Sequence, residues 1–176
     1  MRVLHIFDFD DTLVRSESNV LVYHEDGTTS ELSSEEYAKY KKQPGDVMDF
    51  SEFDIYPINP EIIEGVFSEL VNSISTDGLD SVVVLTARGN IEPVMQFFED
   101  NGLSGLTVVG TGSSNPMDKA RFVLDKVNSG NYSMVRVFED NVKNIRSIKR
   151  VINKDGSARI QTNRVSNGRV VNSSVS

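Results

Sequence analysis

The chain has 176 residues, 38% of them hydrophobic and 8% aromatic, with no cysteine, two histidines and a formal net charge of −8. That length and composition suit one globular domain with a full core, and they exclude disulfides, thiolate zinc sites and histidine-built metal centres. Any metal must then be a hard cation held by oxygen, and the negative charge disfavours long-range attraction to nucleic acid or to an anionic membrane.

Val3 to Phe9 is a short apolar run that ends in three crowded acids, Asp8, Asp10 and Asp11, and it reads as a buried parallel strand. The run starts directly after Met1-Arg2, without the long apolar region and small-residue cleavage site of a signal peptide. No stretch approaches the ~20 apolar residues of a membrane span. An intracellular, cytoplasmic protein with no membrane segment is expected.

From Arg15 to Pro60 the texture changes. NVLVYHEDGTTSEL carries two strand-like pieces around Asp26-Gly27, a hairpin signal that leaves His24 exposed beside the turn. SSEEYAKYKKQ reads as a short polar helix capped by Ser33 or Ser34 and stopped by Pro44-Gly45. PGDVMDFSEFDIYPINP reads as an acidic, aromatic loop.

After Pro60 strands and helices alternate. EIIEGVFSELVNSI is a helix, SVVVLT a buried strand, and IEPVMQFFEDNGL a helix with Pro93 in its first turn and Asn101-Gly102 at its C-terminus. LTVVG is a strand, MDKARFVLDKVNSG a helix opened by Pro116, MVRVFED a strand and NVKNIRSIKRVI a helix. ARIQTNRV is a further strand, and residues 166–176 read as a flexible tail. The basic run Lys143, Arg146, Lys149 and Arg150 reads as the solvated face of a helix. The fold class is α/β: a three-layer, Rossmann-like parallel sheet of about five strands with helices on both faces, plus a β-hairpin flap after the first strand.

Ligands of such sheets bind beyond the carboxyl ends of the strands. The polar residues expected there are Asp8 and Asp10, Thr86 and Arg88, and Glu139 and Asp140. Three carboxylates converging from two strands do not all stay ionised without a cation. A bound Mg²⁺ would resolve the crowding, with Asp8 and Asp140 as direct ligands, and would serve phosphoryl chemistry. Arg88 can either grip a substrate phosphate bidentately or pair with a nearby acid. Asp11 reads as a turn or capping residue, and His5, inside the first strand, as a satisfied core histidine.

The pattern resembles the haloacid dehalogenase (HAD) superfamily of phosphatases. Asp8-Phe9-Asp10-Asp11-Thr12 matches its first motif, DxDx[TV]; Thr86, closing VVVLT, matches the second; Lys119, early in a helix, matches the third; and Glu139-Asp140 matches the fourth, with Asn144 where many members carry a later acid. The resemblance covers roughly residues 1–165 as one hydrolase domain, in which 14–60 would be a flap or minimal cap. It implies a Mg²⁺-dependent phosphomonoesterase in which Asp8 is the nucleophile, Asp10 the acid/base and a metal ligand through its carbonyl, and Asp140 the metal anchor, helped by Glu139 or Asn144. Thr86, Ala87, Arg88 and Lys119 would contact the phosphoryl group, and Lys119 would also hold the nucleophile and offset the charge that builds up in the transition state; Lys126 and Lys143 compete with Lys119 for the lysine role. So little cap implies an open site that takes a phosphorylated small molecule or a larger substrate. DFDDTL with LTAR is also similar to the phosphatase domains of polynucleotide kinases, which implies a nucleic-acid 3′- or 5′-phosphate end as the alternative substrate. A HAD scaffold without activity that binds a protein partner is the remaining alternative.

Overall fold

The computed structural model describes all residues, 1–176. In chain order its main elements are β1 (Val3–Phe7), β2 (Val14–Arg15), β3 (Asn19–Tyr23), β4 (Thr29–Ser33), α1 (Ser34–Lys39), β5 (Val47–Asp49), β6 (Glu61–Ile62), α2 (Glu64–Asp77), β7 (Val82–Thr86), α3 (Glu92–Asp100), β8 (Thr107–Gly110), α4 (Pro116–Gly130), β9 (Met134–Glu139), α5 (Val142–Asp155), β10 (Arg159–Ser166) and β11 (Arg169–Val175). The central sheet has six strands in the order β11-β10-β9-β1-β7-β8. Its five strands from β10 to β8 are parallel, and β11 lies antiparallel to β10.

Burial on both faces explains why the strand bodies are almost purely apolar. Phe7, Val82 and Val84 pack with α2 and α3 residues such as Leu70, Val94 and Phe98 on one face. Leu4, Ile6, Val83, Leu85, Val135 and Val137 pack with α4 and α5 residues such as Val123 and Ile148 on the other. The alternation of neighbours along each strand is the period-2 signature of a strand covered on both sides. Phe7 and Phe138, register partners on β1 and β9, stack with ring centroids 4.8 Å apart.

The expected flexible tail is corrected. Residues Arg169–Val175 form β11, joined to β10 by a turn in which Asn167 and Gly168 both have positive φ, 50° and 76°. That pair of left-handed residues is what a two-residue hairpin turn demands, and Asn-Gly supplies it at little cost. The aromatic loop is also corrected in part: Val47–Asp49 forms β5, which pairs with β3 to build a three-stranded sheet β4-β3-β5 within the insert. The short ladder of Val14 with Ile62 and Arg15 with Glu61 closes the neck of that insert. Ser33 caps α1 with a full capping box to Glu36, so the short polar helix has a defined start.

His24 is not a free hairpin residue. Its Nδ1 lies 2.8 Å from Asp46 Oδ1 and its Nε2 2.7 Å from Ser30 Oγ, which ties the hairpin to the loop before β5. His5 is buried beneath α2, with Nδ1 facing Arg136 Nη1 at 3.0 Å and Nε2 facing Asp77 Oδ2 at 2.6 Å. Arg136 only donates, so Nδ1 accepts and Nε2 donates to Asp77, the tautomer of a neutral ring. Burial, with the Arg136 charge, holds the His5 pKa below its ordinary 6.5 against the opposing pull of Asp77 and Glu69. Stability drawn from this neutral ring is complete above the unfolded value of 6.5 and is lost as pH falls through the lower folded value. Urea unfolding of native protein and His5→Gln across pH 7.5 to 5 should show the native protein losing more stability on acidification, by up to the uptake of a single proton; parallel pH dependences would contradict this.

No helix is long and apolar enough to cross a membrane.

Candidate functional site

The carboxyl ends of β1, β7 and β9 meet at one edge of the sheet because their registers align, with Phe7 opposite both Val84 and Phe138. Asp8 follows β1 directly, and its N–H still donates to the Phe138 carbonyl at 3.0 Å, so the first acid is fixed by the sheet itself. Asp10 and Asp11 belong to the tight turn that follows. Asp11 has φ 62°, a left-handed conformation that aspartate tolerates better than most residues, and its N–H donates to the Val14 carbonyl at 2.8 Å. Its carboxylate accepts from the Ser34 hydroxyl of α1. Burial raises Asp11 to about 6, against the Ser34 hydrogen bond and with the charges of Asp10 and Asp8 adding to the rise. Asp11 thus joins the turn to the insert.

Lys119 lies in the first turns of α4, 3% exposed, with Nζ 2.9 Å from Asp8 Oδ1 and 2.9 Å from Glu139 Oε2. Lys126 lies two turns further along α4 and Lys143 is exposed; neither makes an ion pair with these acids. The second Asp8 oxygen is satisfied by Thr12, whose Oγ1 lies 2.9 Å from Asp8 Oδ2 and 3.2 Å from Asp140 Oδ1. A hydroxyl has one proton, so Thr12 serves one of these two acids at a time. Thr12 closes the first motif, yet no separate role for it was legible before its two partners were in place. Glu139 accepts from the Asn141 N–H at 3.1 Å through its other oxygen. Its main partner is Lys119, a contact that strand-end position alone did not reveal.

The electrostatics divide the acids. Burial would raise Asp8, but the Lys119 charge and the hydrogen bonds around it outweigh burial and hold its carboxyl below the usual range. Burial would lower Lys119, but Asp8 and Glu139 together raise it above the ordinary lysine value, so it stays charged. Glu139 is pushed up to about 7, first by burial and then by the Asp8 charge. Asp140 is raised well above its ordinary value by burial and by the charges of Asp8 and Glu139. Asp8 is therefore the acid that stays ionised, and Lys119 is the single cation among three acids.

Carboxylate oxygens of Asp8, Glu139 and Asp140 lie within 4.8 Å of one another, near enough to hold one cation together. Every donor is a hard oxygen, and the acids exceed the local positive charge, which is the environment a divalent cation such as Mg²⁺ suits. Asn144, buried on α5, lines the same cleft. The Asp10 carboxylate points elsewhere: its Oδ2 accepts from Arg88 Nε and its Oδ1 from Arg88 Nη2, both at 2.9 Å.

Arg88 is 4% exposed and all of its nitrogens are engaged, because Nη1 also donates to the carbonyls of Phe53 and Ile55 at 3.1 Å each. Of the two roles its sequence position left open, pairing with an acid is the one its geometry displays. Its backbone N–H donates to Thr86 Oγ1 at 3.2 Å, and Ala87 lies on the rim of the cleft between them. This turn is pressed against β8: a Cβ built on Gly110 would sit 2.3 Å from the Arg88 carbonyl oxygen and 2.8 Å from Ile91 Cγ2. Gly110→Ala should therefore displace the Arg88 turn at a cost of about 1–3 kcal/mol. Thermal unfolding checks this; an unchanged Tm would show that the turn yields freely.

The cleft enclosed by these residues has a volume of about 580 Å³. Its far wall comes from the insert and includes Tyr37, Phe50, Phe53 and Asp54, none of which sequence reasoning singled out. Position in the chain gave no signal for them, because the fold of the insert alone carries them over the sheet edge.

No family model, curated protein or solved structure matches this chain.

Proposed function

We propose that the protein is a Mg²⁺-dependent phosphomonoesterase of the HAD type, working through an aspartyl-phosphate on Asp8. The observation that carries this reading is the buried Asp8–Lys119 pair, with Nζ 2.9 Å from Oδ1, set 4.8 Å or less from the carboxylates of Glu139 and Asp140 at the carboxyl end of a parallel sheet. The order of the four motifs along the chain supports it independently.

Asp8 is suited to attack phosphorus because its carboxylate stays ionised and its two oxygens are fixed by Lys119 and Thr12. In the first step its oxygen bonds to phosphorus as the bond to the leaving oxygen breaks. In the second, water attacks phosphorus and the bond to Asp8 breaks, which releases inorganic phosphate. Lys119 Nζ, next to the attacking carboxylate, and Thr86 Oγ1, at the adjoining strand end, are placed to hydrogen-bond the phosphoryl oxygens as charge builds up. Asp8, Asp140 and the Asp10 carbonyl would hold Mg²⁺, with Glu139 or Asn144 in support. Bound there, the ion would neutralise the phosphate and allow one anion to approach another.

Asp10 is the proposed acid/base, giving a proton to the leaving oxygen and taking one from water. Both of its oxygens accept from Arg88, and each keeps a further lone pair that can take a proton, so the fork fixes the direction in which the carboxylate faces. Arg88 is thus a positioning residue for Asp10, and residues 14–60 act as the flap over the site. Release of phosphate from a generic aryl phosphate tests the reading. Turnover that requires Mg²⁺ and ceases with chelator is expected, together with a Mg²⁺-dependent rise in Tm that Asp140→Asn removes. No turnover with Mg²⁺ present, under conditions where other HAD phosphatases act, would favour the idle scaffold.

A further inference from the structure

The acid cluster uses only part of the cleft. Across from it, the insert presents three aromatic rings: Tyr37 from α1, and Phe50 and Phe53 from the turn after β5. Tyr37 and Phe50 meet edge to face with centroids 5.4 Å apart, forming a corner, and Phe53 lies with its ring 5.1 Å from the Arg88 Cζ. Phe50 is 43% exposed. None of the three rings has a part in moving a phosphoryl group, and grouped on one wall of a cleft that also holds the acids they offer a flat apolar group a face to stack on. Asp54, beside them on the same wall, is exposed and its carboxylate has no partner in the protein.

We infer that this wall binds a nucleobase, and that the phosphoester processed at Asp8 is a nucleoside phosphate. A cleft of about 580 Å³ has room for a base and its sugar as well as the phosphate. The base stacks on Phe50 in the corner with Tyr37, while the Asp54 carboxylate accepts from a ring or exocyclic N–H of the base. Stacking on aromatic side chains tolerates any base, so selection among bases falls to Asp54. A free nucleotide and the end of a nucleic-acid strand present the same base, sugar and phosphate. The net charge of −8 opposes long-range attraction to a long strand but has little bearing on one terminal nucleotide.

This inference rests on the phosphatase reading, and the two can fail separately. With Mg²⁺, kcat/KM is compared for adenosine and guanosine 5′-monophosphates, their 3′-isomers, 5′- and 3′-phosphorylated tetranucleotides, and glycerol phosphate. A preference of tenfold or more for the nucleoside phosphates over glycerol phosphate is expected, reduced roughly tenfold by Phe50→Ala and kept by Phe50→Trp. The mononucleotide and tetranucleotide arms identify the source. Calorimetric binding of adenosine monophosphate to the native protein and to Phe50→Ala, with chelator in place of Mg²⁺, supplies a readout without turnover, and affinity should fall in the variant. Equal hydrolysis of glycerol phosphate and nucleotides, or nucleotide binding indifferent to Phe50→Ala, would overturn the inference while leaving the phosphatase standing. If no phosphoester is hydrolysed, the phosphatase reading fails; the calorimetry then decides the base site alone, with loss of affinity in Phe50→Ala supporting it and no nucleotide binding overturning it.

Discussion

Asp8→Asn should lower phosphate release by a factor of roughly 10⁴ or more, as expected when a nucleophile is removed rather than merely misplaced. An amide oxygen is a poor nucleophile, and no neighbouring acid can replace Asp8. Glu139 is committed to Lys119 at 2.9 Å, the Asp10 carboxylate is forked by Arg88, and Asp140 is held above its ordinary range, so that it keeps its proton more tightly than Asp8 does and is the poorer nucleophile. The fold should survive the change. Lys119 keeps Glu139 as its partner, and the loss of one charge relieves repulsion with Asp140 and Glu139. A circular dichroism spectrum like that of the native protein, with turnover gone, is the expected combination. Turnover within a few fold of native would remove Asp8 from the reaction.

Lys119→Met should cause the largest loss of stability. The substitution leaves Asp8 and Glu139, both buried, facing each other without the cation that each accepts from at 2.9 Å. Breaking a buried ion pair by removing one partner costs about 3–5 kcal/mol, which in a domain of this size lowers Tm by roughly 6–20 °C. The sign of the pH dependence follows. Glu139, already at about 7 with Lys119 in place, rises further without it. A raised carboxyl costs stability above its unfolded value and is relieved as pH falls through the folded value, so the variant's deficit should be smaller at pH 5 than at pH 8. Thermal unfolding at the two pH values measures it. A Tm within a few degrees of native at pH 8 would mean that the three side chains are not coupled as the distances imply.

The parts of this molecule that local chemistry decides were legible in advance. The apolar runs of β1, β7 and β9, the proline in the first turn of α3 and the Asp26-Gly27 turn all formed where their residues demand. Strand ends are also local, so the positions of Asp8, Thr86 and Asp140 could be expected at one edge. β11 is hard to recognise because Ser and Asn dilute its valines, although Asn167-Gly168 is a strong hairpin signal and alternating ARIQTNRV lies just before it.

Residue type and spacing left open an acid partner for Arg88, and only the resemblance implied that Lys119 holds Asp8, because both depend on contacts between residues far apart in the chain. The fork between Arg88 and Asp10 joins residues 78 apart, and Lys119 reaches Asp8 across 111. The division of labour among the acids follows from those contacts, since residue type alone does not separate Asp8, whose carboxyl is held low, from Asp140, which is raised. The aromatic wall is harder still. Phe50 and Phe53 lie in an irregular stretch with no periodicity, and they face the site only because β5 pairs with β3 and the insert folds over the sheet edge.

The covalent intermediate on Asp8 is the central claim, and acid quenching with mass spectrometry tests it most directly. Native protein mixed with Mg²⁺ and an aryl phosphate, then quenched within milliseconds and digested, should yield a phosphoryl group on the peptide containing Asp8, labile to hydroxylamine and absent in Asp8→Asn. Steady phosphate release with no such adduct, or the adduct on Asp10 or Asp140 instead, would contradict the assignment.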